Sequence, residues 1–157
     1  MFDALYEFTS SLPEFLQWAG VLLISAIPWV ESYFGSTIGV VTGTNPVVAI
    51  TAAILGNVIS MLFFVLSAHR VRSGIVSGKA ERKLTPRRQK LRARFDRFGV
   101  PGVSLLGQLL LPSQITSAAM VSFGAPKNTV ILWQVISIII WGVAFGTLTS
   151  AGVTMLR

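Results

Sequence analysis

The chain has no cysteine, which excludes a disulfide framework, a thiolate zinc site and a thiol nucleophile. It is also poor in charge. Asp, Glu, Lys and Arg make up 12% of its 157 residues, against roughly 25% in an ordinary soluble domain. Six residues are acidic, and His69 is the single histidine. These residues offer no nucleophile–base pair and no catalytic set, so no enzyme, metal or other cofactor is expected. The glycines from Gly35 to Gly43 lack the Lys-Ser/Thr of a P-loop, and they read as close helix packing. No ATPase is encoded, so uphill transport would need an ion gradient.

Apolar side chains are abundant. They make up 52% of the sequence, and the mean hydropathy is +0.69. One small soluble core could not hide so much apolar surface, and a bilayer is the expected solvent. The length is too small for a many-span transporter in one chain.

Charge is unevenly placed. Eleven of the 13 basic residues fall between Arg70 and Arg97, opposed only by Glu81 and Asp96. This block lies between membrane-length apolar segments, which argues against a nucleic-acid patch. It reads as a cytoplasmic loop under the positive-inside rule, with contact to anionic lipid head groups as a consequence. The N-terminus, with Asp3, Glu7 and Glu14, lacks the positive region of a signal peptide and suits the outer face. The expected location is the bacterial inner (plasma) membrane, with residues 69–98 cytoplasmic.

Residues 2–11 read as a short interfacial helix, and Ser11–Leu12–Pro13–Glu14 as a helix start. The apolar run Phe15–Ile27 then meets Pro28, with Glu31 three residues on. Its 13 residues are too few to span. They suit one arm of a re-entrant hairpin, with residues 33–43 returning. Val47–Ala68 is the clearest full span, ending at His69–Arg70, and Gly56–Asn57 lies near its middle. Residues 79–97 read as a basic helix on the membrane surface.

The pattern then repeats. An apolar arm, Val100–Leu111, meets Pro112. Ser113 and Gln114 follow, then the small-residue arm Ile115–Phe123. After the turn Gly124–Lys127, Asn128 is placed to cap a long helix from Thr129 to Leu148 or beyond. The expected fold is an all-α integral membrane domain covering residues 1–157. Each half, 1–68 and 99–157, is a re-entrant hairpin plus a transmembrane helix. If one hairpin dips from each side, the halves are inverted repeats. Paired interrupted segments of this kind point to a transporter site. The plainer alternative is two kinked spans.

Glu31 is the sharpest candidate site residue. It is the only acid between Glu14 and Glu81, and a charge at mid-membrane costs about 2.5–3.5 kcal/mol on insertion scales. Burial favours the protonated form of a carboxyl, which suits a proton-coupled carrier. Alternatively Glu31 caps the returning arm. Gln114, with Ser113, is its pseudo-symmetric partner, able to bind substrate or to satisfy broken backbone. Asn57 either lines a cavity or joins helices beside Gly56. Arg94 and Arg97, at the mouth of the second hairpin, either draw in a phosphate head group or anchor the topology. His69 reads as a helix-end residue, and Trp18, Trp29, Trp133 and Trp141 as anchors or packing groups.

The run Ile27–Pro28–Trp29–Val30–Glu31, continuing through the glycines to Leu55–Gly56–Asn57, resembles the small multidrug export family. That family is loosely related to DedA-like (VTT-type) membrane proteins. Arg97–Phe98–Gly99–Val100–Pro101–Gly102, Phe123–Gly124–Ala125, Trp133 and Trp141 resemble the DedA pattern of an Arg-Phe-x-Pro entry, a re-entrant loop and a Trp-bearing helix. The resemblance covers roughly residues 25–148. It implies the inverted-repeat hairpin fold and the movement of lipid-linked phosphates or amphipathic compounds. Tyr33 and Ser104 stand where the pattern often carries Arg, so two phosphate-binding cations are missing.

The expected function is a small transporter or flippase for an amphipathic anion such as a polyprenyl phosphate, or for a small drug. Its partners would be membrane lipids and a second copy of the chain, since so few spans can hardly enclose a cavity. No nucleic-acid partner is expected. The rival is a non-transporting scaffold that binds lipid or another membrane protein.

Overall fold

The computed structural model describes residues 1–75, 98–108 and 110–156. These residues are helical with short connections, and no strand occurs among them. Among the described residues the α-helices, in order, are α1 (Phe2–Ser11), α2 (Gln17–Ser25), α3 (Glu31–Val41), α4 (Pro46–Ile75), α5 (Phe98–Gly107), α6 (Ser113–Phe123) and α7 (Lys127–Met155). A 3-10 turn, Glu14–Leu16, leads into α2. The basic surface helix expected over residues 79–97 lies outside the described residues.

Among the described residues, two helices have the length and apolarity to cross a bilayer, Pro46–Gly74 within α4 and Lys127–Met155. At about 1.5 Å per residue, 29 residues reach about 43 Å. Helix α4 continues past His69 and Arg70 to Ile75, beyond the end expected from the apolar run alone. Charge stops an apolar segment but not a helix, because Arg is a good helix former. Helix α7 begins at Lys127, directly after Pro126. Asn128, expected as its cap, therefore sits inside the first turn.

The chain groups into two compact units. The first is Met1–Ser60 with Ile138–Arg157, and the second is Met61–Ser137. Each contains one pair of short helices, α2–α3 or α5–α6, and one half of each long helix.

The short pairs break where proline dictates. Pro28 lacks an N–H, and proline disfavours helical geometry in the residue before it. Helix α2 stops at Ser25, three residues ahead of it. Pro112, in extended conformation, starts α6. Both return arms end in the same way. After α3, Gly43 takes φ +93°, its N–H bonds Val40 O and that of Thr44 bonds Gly39 O. After α6, Gly124 takes φ +111°, its N–H bonds Val121 O and that of Ala125 bonds Met120 O. Both are Schellman motifs, which need a left-handed residue and so favour glycine. A proline then opens each long helix. Before α4, Asn45 Oδ1 accepts from the N–H of Val47 at 3.0 Å, a side-chain cap.

In the first unit α3 is the central rod, and small residues let its neighbours close on it. A Cβ added at Gly39 would lie 2.8 Å from both the Val21 methyl of α2 and Ala49 Cβ of α4. One added at Gly35 would lie 2.9 Å from Ser25 Cβ and 3.4 Å from Ala53 Cβ. Against α7, Gly142 and Gly146 face Ser32 and Ser36, at 3.1 and 3.2 Å by the same measure. Helix α1 covers the outside of this group. Phe2 meets Phe34 edge to face at 4.7 Å, and Leu5 packs on Ile24, Val30 and Ile38.

In the second unit Thr116 of α6 lies against Gly107 of α5, its methyl 3.5 Å from where a Cβ would stand. Arg72, near the end of α4, donates from Nη1 to Val121 O at 3.0 Å. A cation there meets the negative end of the α6 dipole and a carbonyl of its last turn.

Candidate functional site

The turn between α2 and α3 carries backbone strain. Trp29 has φ +80° and Glu31 has φ +54°, a region that non-glycine residues rarely enter. Such outliers persist only where packing fixes them, and they gather at functional sites. Three bonds tie the turn down. The N–H groups of Val30 and Glu31 both reach Ile27 O, and Ser60 Oγ of α4 donates to Ala26 O at 2.7 Å. The last bond satisfies a carbonyl that the broken helix leaves without a partner.

Glu31 opens α3 and is fully buried. Asp3, Glu7 and Glu14, the other acids among the described residues, are exposed. The N-cap residue of α3 is Val30, so the capping role weighed for Glu31 would fall to a residue already inside the helix.

The packing register places Asn57 relative to Glu31. Gly39 meets Ala49 and Gly35 meets Ala53, an antiparallel register that moves four residues along each helix. Continued by one turn, this register runs from Gly35 and Ala53 toward Glu31 and Asn57. Asn57 is also fully buried. Its neighbour Gly56 is a necessity, since a Cβ there would collide with Leu22 O.

The next residue, Ser32, donates to Ile138 O of α7 at 2.9 Å. Tyr33 then begins a file of rings: Tyr33–Phe34 at 4.6 Å, Tyr33–Phe145 at 5.6 Å and Trp141–Phe145 at 6.0 Å. Tyr33 thus takes an aromatic packing role.

Ser113 and Gln114 belong to the second unit, where both are fully buried in the first turn of α6. Ser113 Oγ lies 3.4 Å from Gln114 Oε1, and Ser117 Oγ donates to Gln114 O at 3.1 Å. Of the expected site residues, Glu31 and Asn57 therefore fall in one unit and Ser113 and Gln114 in the other. Arg94 and Arg97 lie outside the described residues.

Sequence reasoning missed a polar group in the second unit. Ser137 Oγ of α7 lies 2.8 Å from Ser104 O and 2.6 Å from Gln108 Oε1 of α5. Gln134, one turn earlier on α7, is 1% exposed. Ser104 Oγ, Gln108 Nε2, Thr116 Oγ1 and both amide atoms of Gln134 are buried without a partner among the described residues. Each such group costs about 1–3 kcal/mol if left so. The available signal was Gln108 and Gln134 themselves, long amides set inside apolar runs.

Among the described residues no group of three or more His, Asp or Glu could hold a metal ion. Among the described residues, the architecture is all-helical, with two membrane-length helices and one buried carboxyl beside a strained turn. No protein-family model matches the chain, and neither a curated protein nor a solved structure matches it.

Proposed function

We propose that this protein is a small inner-membrane transporter or flippase of the DedA-like, small multidrug export type. In this reading it moves an amphipathic or lipid-linked phosphate, such as a polyprenyl phosphate, or a small drug, and Glu31 exchanges a proton for the substrate. The observation that carries the reading is Glu31 itself. It is a fully buried carboxyl next to left-handed backbone, on a helix interrupted by proline. Ionisable groups at membrane depth mark substrate and proton paths.

The helix pairs are the re-entrant arms of this reading. Helices of 9 and 11 residues reach about 14–17 Å, half of a 30 Å hydrocarbon core. Their broken turns need cover from protein or water, and Ser60 supplies one such contact. The composition of the units supports an inverted repeat. Each combines a short pair, the N-terminal half of the long helix that follows it and the C-terminal half of the other. The basic segment faces the cytoplasm and gathers anionic head groups. Only 33% of each long helix's most apolar window is buried within the chain, which leaves apolar surface for lipid and for a second copy in a homodimer.

The test is flux in proteoliposomes across a pH series. Glu31→Gln should remove pH-dependent transport, lowering it at least tenfold, while retaining the wild-type elution profile. Unchanged transport would end the proton role. The scaffold reading makes the opposite demand. Neutralising Arg82, Lys83, Arg87 and Arg88 with topology preserved would then matter more than Glu31.

A further inference from the structure

We propose that the second unit holds a buried, uncharged hydrogen-bonding site, formed by Ser104, Gln108, Gln134 and Ser137 with Thr116 on the adjoining helix, which takes a small neutral ligand. The ligand is water or the hydroxyl of an alcohol, which share the chemistry of donating and accepting at one oxygen. The site is distinct from Glu31 and does not depend on proton transfer there.

Convergence is the first observation. Ser137 Oγ sits within hydrogen-bond reach of both the Ser104 carbonyl and the Gln108 side chain. A hydroxyl has one proton, so it serves one of these acceptors at a time. Turning the Gln108 amide over lets Nε2 donate to Ser137 Oγ and frees Oε1. In either orientation one end of Gln108 remains to be satisfied. Gln134 adds a complete amide on the same side of α7, one turn away, and Thr116 lies on α6 against Gly107.

The second observation is the nature of what is left over. The groups without protein partners include hydroxyls, which both donate and accept, and an amide with both functions. Buried polar groups in folded proteins find a partner, and where protein does not supply one, ordered water does. Water needs two to four polar partners, and this cluster provides them. Every buried polar side chain described in this unit is Ser, Thr or Gln. An ion there would be desolvated without a countercharge, so the site selects a neutral ligand over a phosphate.

The test is solid-state NMR on the full chain in deuterated phosphatidylcholine vesicles, reading magnetisation transfer to the side-chain amides of Gln108 and Gln134. Transfer from water protons is expected. A second sample with added glycerol separates the two sources. Transfer from glycerol C–H protons identifies an organic hydroxyl, and transfer from water alone identifies water. Absence of transfer to both amides from either source overturns the proposal. Gln134→Leu gives an independent reading. A liganded site loses a partner, and the apparent melting temperature should fall by about 3–6 °C. A dry cluster would instead gain from losing an unpaired amide, and a rise would equally overturn the proposal.

Discussion

The two short helix pairs share their breaks and differ in their filling. Both interrupt at a proline and both end in a Schellman glycine followed by a proline. The first pair closes by near contact. Gly35 and Gly39 admit α2 and α4, and Gly142 and Gly146 admit Ser32 and Ser36. The second pair has few such contacts, and to the hydroxyls that both units bury it adds the long amides Gln108, Gln114 and Gln134. One backbone plan thus supports two interiors: a tight one that isolates a single carboxyl, and a polar one whose hydrogen-bonding capacity exceeds what the protein fills. Close packing fixes one geometry. An amide-lined interior tolerates exchange of what it binds.

This contrast can be broken first at Gly39. Gly39→Leu drives a branched side chain into Val21 and Ala49 and should cost about 3 kcal/mol or more of stability. Thermal melting of purified protein checks this, and a wild-type melt would show that the first unit is looser than described.

Asn57→Leu sharpens the comparison. It keeps volume but removes a buried amide. Transport should fall about tenfold, equivalent to about 1.4 kcal/mol, with melting little changed. The reverse result, lost stability with intact flux, would make Asn57 interhelical glue alone. The smallest effect is expected at Arg72. Arg72→Ala removes the bond to Val121 O and the cation at the end of α6, a loss of about 1 kcal/mol. Local hydrogen exchange at residues 120–125 should rise, and the Glu31 region should be untouched.

Much of this contrast was readable from residues. Pro28, Pro112, Gly43 and Gly124 act locally, through a missing N–H or a positive φ, so the breaks and turns were placed before the fold was known. The long apolar helices were equally plain. Glu31 stood out because charge is rare in apolar sequence. What stayed hidden depends on register between helices. Gly35 and Gly39 pair with Ala53 and Ala49, and no single-sequence periodicity contains that pairing. Arg72 looked like one more member of a basic block, yet it bonds a carbonyl 49 residues away. Gln108 and Gln134 were passed over because each stands alone in its own run, and α5 and α7 bring Gln108 and Ser137 together.

The Ser32 bond has a consequence for synthesis. Its acceptor, Ile138 O, comes 106 residues later in the chain. Arg72 too is made before the carbonyl it will hold, but that carbonyl follows only 49 residues later. As the polypeptide emerges from the ribosome, the end of α6 meets a waiting clasp. The surroundings of Glu31 stay open until α7 has been translated. A stalled or truncated product therefore presents the carboxyl without its last wall. On the proposed function, the transport activity would be switched on only once α7 is in place.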